Sequence, residues 1–176
     1  MKRIFVGILA SDEIKAKAFE FCSQHQDLPG QWIKPKNLHI TLVPPWEITE
    51  HEAHDIKQKL KKVDFQQFEV IFEDISFGPN PTRPRLIWAR GSASKQIDDL
   101  RLKIYEVLGQ TPDSRQFAPH MTLARFRPED FKRFVPQRLN EKIDWKEKVK
   151  SFVLMQSHLS PQGAEYEVLE EFDLKR

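Results

Sequence analysis

The sequence predicts an internally duplicated fold in which each half runs strand, helix, strand, helix, strand. Three observations carry this. Apolar, β-branched runs alternate with segments of helical period. The order of those segments begins again just after residue 80. One short string also stands at the matching place in each half: Leu38-His39-Ile40-Thr41-Leu42 and Pro119-His120-Met121-Thr122-Leu123. The 176 residues suit a single domain made of two pseudo-symmetric lobes, about 1–80 and 81–176.

Ile4 to Leu9 reads as a buried strand, and Ser11 caps the helix that follows, with Asp12 and Glu13 in its first turn. Ile14, Ala18, Phe21 and Cys22 recur at helical spacing, and Pro29-Gly30 ends the element. Leu38 to Val43 is a second strand. Thr49-Glu50-His51-Glu52 is a capping box, opening a helix with Ala53, Ile56, Leu60 and Val63 on one face. Phe68 to Phe77 is a strand, broken by Gly78-Pro79-Asn80-Pro81. In the second half Leu86 to Ala89 is a strand, and Ser92 or Ser94 caps a helix. Ile97, Leu100, Ile104, Val107 and Leu108 form its inner face, and Gly109 stops it. Met121 to Phe126 is a strand, Pro128-Glu129-Asp130 opens a short helix, and Val149 to Leu159 is strand again. A last strand, about Tyr166 to Phe172, follows Ser160-Pro161-Gln162-Gly163.

Composition narrows the function. Lys and Arg number 28 against 26 Asp and Glu, a net charge of +2. That balance argues against a protein that coats long stretches of duplex, though a local patch for one or two phosphates remains open. The single cysteine, Cys22, excludes an intrachain disulfide and a multi-thiolate metal site. No stretch approaches the ~18 apolar residues of a membrane span. A soluble, cytoplasmic protein with no membrane contact and no obligate protein partner is expected.

The repeated string carries chemistry. Residues i and i+2 of a strand share a face, so His39 projects with Thr41, and His120 with Thr122, while Ile40 and Leu42 enter the core. Two similar halves packed about an approximate twofold axis would bring two imidazoles and two hydroxyls around one volume. Such a volume suits a phosphodiester. One neutral imidazole takes a proton from water and the other, protonated, gives one to the departing oxygen, while hydroxyls bond the non-bridging oxygens. No metal or other cofactor is needed. No carboxylate or cysteine recurs with the histidines to complete a zinc site. The alternation leaves open which histidine is acid and which is base.

The two strings and their spacing resemble the 2H phosphoesterase superfamily, named for its paired His-x-Thr/Ser-x motifs. The resemblance is to its RNA 2′,3′-cyclic phosphodiesterase branch, also called 2′-5′ RNA ligases. It extends over Arg3-Ile4-Phe5-Val6-Gly7, Trp32 to Leu42, Pro84-Arg85-Leu86-Ile87-Trp88 and Phe117 to Arg125. It implies an α+β fold of two lobes, with antiparallel sheets around a central cleft. It implies His39 as proton donor and His120 as proton acceptor, with Thr41 and Thr122 holding phosphate. The implied reaction turns RNA 2′,3′-cyclic ends into 2′-phosphomonoesters. Partners on this reading are RNA 3′ ends. Small cyclic nucleotide or ADP-ribose phosphates are an alternative substrate, and a non-catalytic nucleotide- or RNA-binding module is another. Members of the branch usually continue the first motif with Phe-Leu-Gly-Glu; here Val43-Pro44-Pro45-Trp46-Glu47 stands instead.

Further candidates sit nearby. Arg125 follows the second motif but, by alternation from His120, lies on the opposite face unless the strand bulges. Arg127 is similarly placed. Trp32, Trp46 and Phe77 stand near element ends, where an aromatic ring can stack on a nucleobase. Core packing is the alternative for each. His51 and His54 fall away from the apolar face of their helix and read as solvated, as does the run Lys57 to Lys62. His25 and His158 have no evident partner.

Overall fold

The structure, a computed structural model, describes residues 1–28, 30–134, 137–161 and 163–176. Pro29 and Gln162, which the sequence placed in chain breaks, lie outside the described residues. Among the described residues nine strands and three α-helices make an α+β fold. In chain order these are β1 (Lys2–Leu9), α1 (Asp12–Gln24), β2 (Gln31–Trp32), β3 (His39–Ile48), α2 (Glu50–Leu60) and β4 (Phe68–Gly78). Then come β5 (Leu86–Gly91), α3 (Lys95–Leu108), β6 (His120–Arg125), β7 (Asn140–Val149), β8 (Ser151–Ser160) and β9 (Gly163–Asp173). Short 3₁₀ turns occupy Pro35–Asn37 and Asp130–Arg133.

The expected caps form. Ser11 Oγ accepts from the Ile14 amide and Ser94 Oγ from that of Ile97, at 3.4 Å each. Both arms of the Thr49–Glu52 capping box are present. Gly109 ends α3 at φ 70°, the left-handed conformation a glycine adopts without strain.

The strands pair in the order β7-β4-β5-β6-β3-β1-β8-β9, every neighbour antiparallel, with β2 added beside β6. The last strand of the first half, β4, lies between β5 and β7; β8 and β9 extend the side of β1 and β3. The two halves of the sequence therefore exchange strands across the sheet. At the centre β3 and β6 meet through one pair, Ile40 with Met121. One face of the sheet and the inner faces of the helices share a continuous core, in which Ile14, Ile40, Leu60, Ile97, Leu100 and Met121 are essentially inaccessible. The opposite face carries a small cluster of Phe5, Val153 and Met155.

Two elements depart from the sequence reading. The strand expected from Val149 to Leu159 is the end of β7 followed by β8, with a break at Lys150. β7 escaped because Asn140-Glu141-Lys142-Ile143-Asp144-Trp145-Lys146-Glu147-Lys148-Val149 is dominated by charge. Such a composition suits the edge strand it forms, since charge discourages edge-to-edge association. β3 runs on through Pro44-Pro45 to Ile48. Its β6-facing edge is unpaired there, so the missing proline N–H groups break no ladder.

Candidate active site

Antiparallel partners project to the same face of a sheet. One step either side of the Ile40–Met121 pair, His39 stands opposite Thr122 and Thr41 opposite His120. All four are partly exposed, while Ile40, Leu42, Met121 and Leu123 are buried on the other face. Two imidazoles and two hydroxyls thus surround an approximate twofold axis, as the duplicated motif predicts.

Both histidines are held alike. Nδ1 of His39 donates to the carbonyl of Asn37 at 2.6 Å, and Nδ1 of His120 to that of Ala118 at 3.1 Å. Each carbonyl belongs to the residue two places earlier. With Nδ1–H committed, the neutral ring keeps its Nε2 lone pair free for proton transfer. The His39 ring lies against Phe5 at 5.0 Å and Tyr166 at 5.1 Å, and the His120 ring against Trp88 at 4.9 Å. Burial among these rings pushes the His39 pKa down to about 4, partly offset by the Asn37 carbonyl and reinforced by the positive charges of Arg125 and His120. The His120 pKa is lowered by the same kind of burial, offset by the Ala118 carbonyl and reinforced by Arg125.

Arg125 belongs to this centre, because β6 bulges. Between the pairs Trp88–Thr122 and Ile87–Ala124 the register slips by one residue, so Leu123 and Ala124 are both buried and Arg125 returns to the histidine face. β3 bulges at the equivalent point, Leu42 and Val43 both being buried, and Pro44 takes the place corresponding to Arg125. At this position the two motifs therefore supply one cation where strict symmetry would give two. Among the described residues Arg125 makes no ion pair.

The cleft has two arms that share Thr41 and Arg125. The arm beside His39, about 570 Å³, is walled by Phe5, Tyr166 and Trp32. The arm beside His120, about 520 Å³, is walled by Trp88 and Phe117. Pro45 lines the first and Pro44 the second, which places the Val43-Pro44-Pro45 departure at the cleft rim.

Two candidates fall elsewhere. Phe77 is buried in an aromatic cluster with Phe126, Phe131 and Phe134, and Trp46 packs on the core beyond the prolines; neither lines an arm. Both stand near strand ends, but the alternation there turns their rings inward. Arg127 is exposed outside both arms, and His51 and His54 are exposed on α2. His25 and His158 do find partners, in Glu141 at 3.2 Å and Glu167 at 3.1 Å. Phe5, Trp88 and Tyr166 were missed as site residues. Their only sequence signal was membership of strands, and strand order decides which of them border a motif. Among the described residues no three His, Cys, Asp or Glu side chains cluster to hold a metal ion, and no helix is long and apolar enough to cross a membrane.

Known proteins resemble this chain in sequence and in fold. The family model of the 2′-5′ RNA ligase superfamily matches residues 11–161. A protein of Archaeoglobus fulgidus named RNA 2′,3′-cyclic phosphodiesterase is 29% identical over 97% of this chain and 99% of its own length. One of the same name from Aeropyrum pernix is 30% identical over 84% of this chain and 88% of its own. Among solved structures, a Thermus thermophilus protein is similar with a TM-score of 0.76 and 25% identity over 98% of each chain. E. coli LigT complexed with 3′-AMP gives 0.80 at 20% identity over 99% of each. The chain belongs to the 2′-5′ RNA ligase superfamily.

Proposed function

We propose that this protein hydrolyses the 2′,3′-cyclic phosphodiester at RNA ends to a 2′-phosphomonoester, with His39 as acid and His120 as base. The observation that carries the reading is the matched presentation of the two imidazoles, each tied through Nδ1 to a backbone carbonyl and flanked by a threonine on the same strand face. The names of the curated relatives point to the same substrate.

Neutral His120 takes a proton from water through Nε2, and the water oxygen attacks phosphorus. The P–O3′ bond breaks, and His39, protonated at Nε2, gives its proton to O3′. The product keeps phosphate on O2′. His39 leaves neutral and His120 protonated, and exchange with solvent resets the pair. Thr41, Thr122 and Arg125 donate to the non-bridging oxygens, where charge grows in the transition state. The phosphate also sets the protonation of the pair, the proton itself coming from solvent. Burial depresses both imidazoles, which are neutral at pH 7 in the free enzyme. An arriving phosphodiester places negative charge beside them and cancels the field of Arg125, so binding raises the imidazole pKa values and favours protonation of the acid.

The test is product identity. An oligonucleotide ending in a 2′,3′-cyclic phosphate should yield only the 2′-phosphate, separable from the 3′ isomer by chromatography. His39→Ala and His120→Ala should each lose roughly 10²–10⁴ in kcat, and the double variant far less than the product of the two losses. A 3′-phosphate product, or a folded single variant with wild-type turnover, refutes the assignment.

A further inference from the structure

In-line displacement by the proposed mechanism fixes where the RNA lies. The water activated by His120 approaches phosphorus opposite O3′, and O3′ leaves toward His39. The terminal ribose hangs from O3′, so its base and its O5′ lie in the His39 arm. That arm, about 570 Å³, is within the range of small-molecule sites. Arg125 and the two threonines serve the phosphate that reacts. In any RNA longer than one nucleotide a second phosphate follows on O5′, with a charge of its own that the reacting centre does not meet.

Two polar residues on the wall of that arm have no task in the reaction. Ser157, on β8, is only 9% exposed, and among the described residues its hydroxyl has no hydrogen-bond partner. It is not sealed either, since Asn37 Oδ1 is the one side-chain atom among the described residues that is closed to solvent and unpaired. The Ser157 hydroxyl therefore opens into the arm that it lines. Arg3 lines the same arm. It stands opposite Ser157, one step from the Ile4–Gln156 pair of β1 and β8, and shares the face of Phe5. Its neighbour on β3 is the exposed carboxylate of Glu47, yet among the described residues Arg3 makes no ion pair and no side-chain hydrogen bond. Other cations nearby are engaged: Lys34 and Lys36 both hold Glu165, and Lys2 holds Glu50. Arg3 lies two residues beyond Phe5, whose ring rests on His39. That is a step of roughly 7 Å along the strand, about the length of one nucleotide.

We propose that Arg3 and Ser157 form a subsite for the phosphodiester on O5′ of the terminal ribose, so that the protein grips two successive phosphates of an RNA end. The guanidinium donates to the non-bridging oxygens and supplies the charge, while the hydroxyl donates from the wall and fixes where the phosphate sits. An exposed arginine alone is ordinarily solvated; the buried, unpartnered hydroxyl beside it makes a site of the pair. This rests on the cyclic phosphodiesterase reading of the cleft and on His39 as the acid. Both residues determine specificity and touch none of the atoms that react.

The experiment compares kcat/KM on a 2′,3′-cyclic mononucleotide, the dinucleotide with the same cyclic end, and that dinucleotide with an uncharged methylphosphonate linkage. The first sugar of both dinucleotides is 2′-deoxy, so that no neighbouring hydroxyl attacks the linkage. The wild type should prefer the charged dinucleotide by roughly 10–30-fold, the lower part of what hydrogen bonds to a charged group contribute, because Arg3 is exposed. The methylphosphonate should lose most of that gain. Arg3→Gln should bring the ratio of dinucleotide to mononucleotide most of the way to one, and Ser157→Ala should lower it several-fold. Arg127→Gln, at an exposed position outside both arms, should leave the ratio unchanged. A wild-type ratio near one, an undiminished methylphosphonate, or a ratio that Arg3→Gln leaves intact would overturn the proposal. An equal fall in Arg127→Gln would overturn it too, by making the preference a general attraction for anions. The methylphosphonate comparison needs no variant and decides whether the second phosphate is held even if Ser157→Ala does not fold. Should no substrate turn over, the cyclic phosphodiesterase reading fails instead. Affinity for the matching mono- and dinucleotide 2′-phosphates, with the same ratios expected, then decides the role of Arg3.

Discussion

Gly7 lies on β1 beside the strand that carries His39, and replacing it by alanine separates packing at the site from stability in general. A Cβ at Gly7 would stand 2.7 Å from the Ile40 carbonyl oxygen and 3.1 Å from Met155 Cε, with His39 Cδ2 at 3.6 Å. The methionine end can swing away, but the carbonyl belongs to the residue after His39. Restoring an ordinary 3.4 Å contact requires β1 and β3 to part by about 0.7 Å at the place where Gly7 pairs with Thr41. Overpacking of this kind costs about 1–3 kcal/mol, a drop of roughly 2–12 °C in Tm for a chain of this size. Displacing an acid–base group by nearly 1 Å costs up to about 10²-fold in rate. Gly109→Ala is the control, since Gly109 lines neither arm and has no contact with His39. It puts alanine at φ 70° with nothing within 4 Å of the new Cβ, a strain of about 1–2 kcal/mol at the end of α3. Thermal melts and kcat on a cyclic-phosphate oligonucleotide should show both variants destabilised, but only Gly7→Ala slow. Wild-type kcat in Gly7→Ala, or an equal loss in Gly109→Ala, would refute the argument that this close approach sets the position of His39.

Two further outcomes follow from the site. Arg125→Gln should lower kcat/KM by about 10²–10³, the cost of removing a preorganised donor to the transition state. It should also move the alkaline limb of the pH profile upward, because Arg125 depresses both imidazoles; an unmoved limb would take Arg125 out of their field. Because the proposed mechanism draws acid, base and anion contacts from side chains, turnover should survive EDTA, and activity lost to chelation and restored by zinc or manganese would replace the two-histidine mechanism with a metallohydrolase.

The motif and its alternation were legible because they depend on local chemistry. Two His-x-Thr strings on strands necessarily put four polar side chains on one face, and the repeat suggested that the faces meet. Arg125 shows the limit of that reasoning. A period of two points it away from the site, and the bulge at Leu123 that brings it back depends on pairing with β5, which no local string announces. Phe77 and Trp46 fail for the same reason, since proximity to a strand end does not say which way a ring turns. Tyr166 reaches His39 only because β8 pairs with β1 and β9 with β8, an order set by the whole sheet. Arg101 interrupts an otherwise apolar helix face, and its contact with Phe117 exists only because the loop after α3 folds back, which no local string announces.

The paired acid and base are tested most directly by the pH dependence of kcat and kcat/KM, measured for the wild type beside His39→Ala and His120→Ala. The wild type should give a bell whose limbs belong to the coupled pair. For kcat/KM, which reports the free enzyme, the depressed imidazoles should place the maximum on the acid side of 6.5. For kcat, bound phosphate should carry the alkaline limb to higher pH. Residual activity of His120→Ala should lose the acidic limb and that of His39→Ala the alkaline one. The reverse pattern would exchange the two roles, and a flat wild-type profile with chemistry rate-limiting would contradict histidine acid–base catalysis altogether.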